Sequence, residues 1–121
     1  MLSRPRIYSY PACGTCRRAL KWLRESGIDV ELVDITGQPP SLAELRVALA
    51  QLGRKRLFNT SGQSYRALGG AVVQAFSDDE ALAALAADGR LIKRPVLVMP
   101  DGTTLTGFQP REWEALLRPQ P

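Results

Sequence analysis

Cys13 and Cys16, separated by Gly14-Thr15, are the two cysteines of a 121-residue chain that contains no histidine. A chain without histidine has no Cys-His or Ser-His-Asp nucleophile, and two cysteines cannot fill the Cys/His tetrad of a structural zinc site. No metal site is expected. Two thiols three residues apart can instead do redox chemistry: one thiolate attacks a disulfide, and the other attacks the mixed disulfide that results. The pair lies where Arg6 to Tyr10, short, β-prone and ended by Pro11, gives way to a helix, so Cys13 faces the free backbone N–H groups of the helix start. Arg17 and Arg18 add positive charge, and such surroundings lower a cysteine pKa from about 8.5 into a range of roughly 3.5 to 7.5. Cys13 is the expected nucleophile. Cys16 lies about one turn along the same face. It also joins the apolar stripe of Ala19, Leu20 and Leu23, so it reads either as the resolving thiol or as a core side chain.

A second feature lies far along the chain, at Arg94-Pro95 before a strand beginning at Val96. X-Pro bonds are the ones for which a cis peptide costs little, and a cis-proline loop facing the cysteine would offer backbone to a substrate chain. Arg94 would then point at the thiol, where its guanidinium could stabilise the thiolate and hold an oxyanion or a glutathionyl carboxylate. The plainer alternative is a solvated surface arginine.

These residues need a scaffold. The first helix runs from the cysteines to Gly27, and Ile28, Val30 and Leu32 then alternate with Asp29 and Glu31 up to Ile35, which predicts a second strand buried on one face. The resulting βαβ unit makes the two strands parallel neighbours. Ser41 and Glu44 form a capping box ahead of Leu42, Leu45, Leu49 and Leu52, and this helix ends near Gly53. Between Asn59 and Ala75 a turn at Asn59-Thr60-Ser61-Gly62 precedes a short helix suggested by Tyr65, Leu68 and Val72. Ser77 and Glu80 open another capped helix, closed at Gly89. Val96 to Met99 and Thr103 to Thr106 flank the turn Pro100-Asp101-Gly102, and Pro110 starts a last helix through Leu117. The expected fold is α/β: a mixed thioredoxin-like sheet, βαβ then ββα, in a single domain over residues 1–121. Helices at about 41–88 are inserted between its halves.

Composition bounds the partners. The hydrophobic fraction of 45% supports one core, and no run approaches the length of a membrane span. Met1 to Tyr10 lacks the apolar core of a secretory signal, so the chain reads as cytoplasmic with no membrane partner. The net charge of +4 is concentrated in residues 1–60, with ten Lys/Arg against five Asp/Glu. Such a field attracts nucleic acid, an acidic protein face or a small oxyanion alike. Without a recognition-helix motif or interleaved aromatics, no direct DNA binding is expected.

Tyr10-Pro11-Ala12-Cys13-Gly14-Thr15-Cys16, Leu57-Phe58-Asn59-Thr60-Ser61-Gly62, Ile92-Lys93-Arg94-Pro95 and Gly107-Phe108 stand in an order and spacing that resembles the glutaredoxin-linked arsenate reductase and Spx superfamily. The resemblance spans nearly the whole chain and implies a thioredoxin-like fold with a helical insertion. Arsenate reductases of this kind use one cysteine, matching Cys13, and three anion-binding arginines, of which Arg94 is present. Asn59 occupies the place of one of the others and Gly107-Phe108 the place of the last, while Arg54, Lys55, Arg56 and Arg111 lie close by. Each missing charged hydrogen bond to an oxyanion costs on the order of 1.5–3 kcal/mol. The Gly14-Thr15 pair matches the reductases better than Spx, and the Asn59-Thr60 and Gly107-Phe108 forms occur in a subgroup thought to be glutathione-dependent thiol reductases.

The resemblance therefore implies Cys13, Cys16 and Arg94 as the chemically active set, with Gly14, Thr15, Arg17, Asn59 and Pro95 meeting the substrate. It also implies that no cofactor is bound, that glutathione is the co-substrate, and that glutathione, glutaredoxin or thioredoxin restores the thiols. The alternative is an Spx-type redox regulator that binds the C-terminal domain of the RNA polymerase α subunit.

Overall fold

The computed structural model describes residues 2–118. Its strands are β1 (Arg6–Ser9), β2 (Glu31–Asp34), β3 (Val96–Val98) and β4 (Thr104–Thr106). Its helices are α1 (Gly14–Glu25), α2 (Leu42–Leu52), α3 (Arg54–Leu57), α4 (Gln63–Leu68), α5 (Gly70–Ala75), α6 (Asp78–Ala87) and α7 (Pro110–Leu117), with a 3-10 turn at Gly89–Leu91. The sheet order is β2-β1-β3-β4. β1 and β2 are parallel, pairing Ile7 with Leu32, while β1–β3 and β3–β4 are antiparallel. This is the mixed thioredoxin-like sheet, and α2 to α6 lie between its βαβ and ββα halves.

Strand alternation divides the core into two layers. Ile7 and Leu97 turn to one face and pack with Ala19 and Leu23 of α1 and Trp113 of α7. Tyr8, Val96 and Val98 turn to the other and meet Leu45, Ala48, Leu82 and Leu85 of α2 and α6. Each such aliphatic side chain withdrawn from water contributes about 1.5–3 kcal/mol before conformational entropy is set against it. Both capping boxes form: the Ser41 and Ser77 hydroxyls accept from the N–H groups of Glu44 and Glu80, whose carboxylates accept in return. Glu44 has a second role. Its carboxylate accepts the Tyr8 hydroxyl at 2.8 Å, which ties the start of α2 to the middle of the sheet.

Three sequence expectations are corrected. The second strand begins at Glu31, not Ile28, and Leu32 is 57% exposed. The buried positions are Ile35, at 0% exposure, and in part Val33, on the opposite phase. β2 is an edge strand, and the helices on the Ile7 face cover the central strands, so Leu32 meets water although it shares that face. Leu42 is exposed for a related reason: it starts α2 on the flank of the face that Leu45 and Ala48 bury. Between Asn59 and Ala75 the chain forms two short helices, not one, broken at Gly69, whose φ of +91° an L side chain rarely adopts. Val73 is buried there, whereas Leu68 and Val72 are exposed.

Candidate active site

Pro11 turns the chain out of β1, and the Cys13 N–H closes that turn on the Tyr10 carbonyl at 3.0 Å. Cys13 becomes the N-cap of α1, with extended backbone (φ −87°, ψ 118°), and its Sγ accepts the Cys16 N–H at 3.3 Å. A sulfur thus stands where Ser or Asp oxygen ordinarily caps a helix, and the first turn of α1 carries no acidic residue to oppose negative charge there.

Burial of the half-buried Cys13 works against ionisation. Hydrogen bonds from the Cys16 thiol and N–H, with the guanidinium of Arg94, outweigh it, and the net effect lowers the Cys13 pKa from the ordinary thiol value. Cys16 goes the other way. Its side chain is 1% exposed, and burial, followed by its hydrogen bond to Cys13, raises its pKa to about 11. The two thiols are therefore inequivalent: half-buried Cys13 ionises more readily than an ordinary thiol, and Cys16 beneath it less readily.

Arg94 comes from the loop before β3, joined to Pro95 by a cis peptide bond. Its guanidinium lies 5.1 Å from the centre of the Tyr10 ring and donates to the Arg90 carbonyl at 3.4 Å, while its buried Nε has no partner. Asn59 donates to the same carbonyl at 3.5 Å. The 3-10 turn carrying Arg90 thus orients both side chains.

Cys13 and Arg94 open into a cleft of about 750 Å³, bordered by Thr15 and Asn59 and by the loop from Thr106 to Gln109. Arg18, Arg56, Lys93 and Arg111 also line it, against the single carboxylate of Glu112. Glu112 accepts from both terminal nitrogens of Arg56, at 3.2 and 2.9 Å, which offsets that charge. Arg18, Lys93, Arg94 and Arg111 make no ion pair among the described residues. The loop is set from the core: the buried Trp113 indole donates to the Gly107 carbonyl at 3.1 Å, and Phe108 meets Trp113 edge to face at 5.1 Å.

Of the residues expected at the site, Cys13, Thr15, Asn59 and Arg94 converge on the cleft. Cys16 lies behind Cys13 and bonds to it. Gly14, Arg17 and Pro95 do not line the cleft. The Arg17 guanidinium turns back to the Pro11 carbonyl at 2.9 Å, so of the paired arginines Arg18 is the one facing the site. Pro95 is buried and accepts the Gly107 N–H at 2.9 Å, holding the cleft loop against β3. Among the described residues no group of three His, Cys, Asp or Glu side chains could hold a metal ion, and no helix is long and apolar enough to cross a membrane.

The arrangement suits nucleophilic attack by a thiolate on an anionic, sulfur- or oxyanion-bearing substrate. Residues 8–116 match the model of the ArsC family. The chain is 45% identical to the uncharacterized protein YusI of Bacillus subtilis, over 89% of this chain and 93% of that one. It is 38% identical to an arsenate reductase of Rhizobium meliloti, over 82% and 71%. Among solved structures, a possible arsenate reductase from Streptococcus mutans superposes with a TM-score of 0.82 at 43% identity, covering 89% of this chain and 93% of its own. An arsenate reductase from Vibrio cholerae superposes with a TM-score of 0.74 at 28% identity, covering 93% and 94%. A cysteine sulfur capping a helix beside an arginine, on a scaffold shared with arsenate reductases, is a site for thiol redox chemistry, and the chain belongs to the ArsC family.

Proposed function

We propose that the protein is a glutathione-dependent thiol oxidoreductase in which Cys13 attacks a glutathione mixed disulfide. The observation that carries this reading is the Cys13 sulfur itself, accepting the Cys16 N–H at the start of α1 with Arg94 beside it in an unobstructed cationic cleft. The Cys13 thiolate attacks the glutathionyl sulfur, the substrate's S–S bond breaks, and the substrate leaves as a thiolate that takes a proton from water. Cys13 is then joined to glutathione. A second glutathione thiolate attacks the glutathionyl sulfur to give glutathione disulfide and free Cys13, or Cys16 attacks Cys13, releases glutathione and leaves a Cys13–Cys16 disulfide for two thiols of glutathione, glutaredoxin or thioredoxin to reduce.

The inequivalence of the thiols favours the first route. Burial, the largest cause of the raised Cys16 pKa, persists when Cys13 carries glutathione, so Cys16 stays mostly protonated at neutral pH and its attack is slow even though it touches Cys13. Arsenate would enter the same cleft. It would find Arg94 and, at Asn59, a neutral amide where the resemblance places an arginine, which makes it the poorer substrate.

Turnover of the mixed disulfide of glutathione and 2-mercaptoethanol, followed by intact mass, tests the reading. Cys13→Ser should abolish turnover, and Cys16→Ser should retain it, with a glutathione adduct on Cys13. Turnover surviving Cys13→Ser would refute it. Redox-dependent affinity for the RNA polymerase α C-terminal domain without any turnover would replace it with the regulatory reading.

A further inference from the structure

The active cleft does not end at Arg94. Beyond it lies a smaller cleft of about 430 Å³, lined by Tyr10, Asn59, Gln63, Ser64, Arg90 and Arg94. Asn59 and Arg94 border both spaces and form the waist between them, and Cys13 faces the larger one beside that waist. The two spaces differ in charge. Among the described residues the smaller is lined by two arginines and no carboxylate, whereas the larger is lined by Glu112 among its cations. Arg90 is exposed and makes no ion pair among the described residues, although its charge reaches Asp34. Its backbone is fixed independently of its side chain, the N–H by Asp88 at 3.0 Å and the carbonyl by Arg94 and Asn59.

We infer that Arg90 is a specificity-determining residue that seats the glycine carboxylate of a glutathionyl substrate in the smaller cleft, with the γ-glutamyl end lying in the larger one. This rests on the glutathione reading above and adds an orientation to it. The physical reason is the asymmetry of the tripeptide. Its glycine end carries a bare carboxylate, which suits a space with cations alone, while its γ-glutamyl end is a zwitterion whose ammonium needs an acceptor. Glu112, whose oxygens also accept from Arg56, is among the described residues the one carboxylate bordering either space and can accept from the ammonium, and Lys93 and Arg111 of the same lining can take the α-carboxylate. The reversed orientation would put the ammonium group in a space whose described lining has no carboxylate to accept from it. With Cys13 beside the waist, the central cysteine of a tripeptide spanning both spaces falls at the nucleophile.

The test compares two mixed disulfides of 2-mercaptoethanol, one with glutathione and one with glutathione esterified by ethanol at its glycine carboxylate, on wild type, Arg90→Gln and Arg90→Lys. Wild type should prefer the free acid in kcat/KM by about five- to tenfold, the scale of one charge-assisted hydrogen bond at a partly wet site. Arg90→Gln should lose that preference through KM with kcat retained, and Arg90→Lys should recover part of it. Wild type turning over both substrates without preference would overturn the assignment, as would Arg90→Gln keeping the preference or slowing acid and ester equally. If wild type turns over neither substrate and forms no Cys13 adduct, the glutathione reading itself fails.

Discussion

Gly89 opens the 3-10 turn that carries Arg90, and it lies against the end of β2 so closely that no side chain fits. A Cβ built there would stand 1.9 Å from the Ile35 carbonyl oxygen and 2.7 Å from its carbon. Both are backbone atoms, and a methyl group needs roughly 3.3 Å or more from an oxygen to avoid steep repulsion. Gly89→Ala must therefore push the turn and the strand apart by more than about 1 Å, at a residue whose Ile35 side chain is wholly buried and whose N–H bonds to Ser9 at 2.9 Å. Overpacking of this kind costs about 1–3 kcal/mol, and a strained or broken backbone hydrogen bond adds about 1 more. The expected loss is about 2–4 kcal/mol, a large share of the roughly 5–15 kcal/mol that holds a domain folded. In urea denaturation this lowers the midpoint by roughly 2 M for an m-value of about 1.5 kcal/mol/M. Gly37→Ala is the control on the same side of the molecule: its nearest neighbour would be 3.9 Å away, and it should change stability by less than about 0.5 kcal/mol. Because the displaced turn also supplies the carbonyl that orients Arg94 and Asn59, Gly89→Ala should slow Cys13 alkylation in the folded fraction. Equal midpoints for Gly89→Ala and Gly37→Ala would refute the packing argument.

Two further outcomes follow from the charges. Arg94 favours the Cys13 thiolate, so Arg94→Gln should raise the Cys13 pKa, slow its alkylation by iodoacetamide near neutral pH and move the rate profile to higher pH; an unchanged profile would show that the guanidinium does not act on the sulfur. Folding should weaken in alkali. The Cys16 pKa is raised from 9.0 to about 11, chiefly by burial, and that of Tyr8 from 10.0 to about 12, also chiefly by burial. The unfolded chain releases these protons first, so their contribution is complete below pH 9 and is lost as pH rises through 11 and 12. Urea midpoints should fall across that window, less steeply in Tyr8→Phe above pH 10; a flat midpoint would contradict the burial of these groups.

Features that act within a few residues are legible in the chain itself. The two capping boxes, the helix start at Cys13, the hairpin turn at Pro100-Asp101-Gly102 and the proline opening α7 are local hydrogen-bonding and steric choices, so the residues that make them sit side by side in the sequence. The same holds for the nucleophile, since the cap geometry of Cys13 depends on three neighbours.

The rest depended on which surfaces meet. Periodicity marks a helix or a strand but does not say which neighbour covers it, so Leu32 and Leu42 carried a core signal and lie exposed, on an edge strand and a helix flank. Arg17 and Arg18 are equivalent as residue types, yet a backbone carbonyl captures one and the cleft receives the other. Lys93 stands in the Ile92-Lys93-Arg94-Pro95 motif, and Arg56 and Arg111 lie near the places of the other anion-binding arginines, but nothing in the sequence marked Glu112 or its pairing with Arg56; these residues converge on Cys13 because Trp113 anchors α7 beside the Gly107 loop and β3 pairs with β1. A cysteine at a helix start is determined by sequence. The charge that surrounds it is determined by long-range packing, because the groups that supply it come from segments up to a hundred residues away.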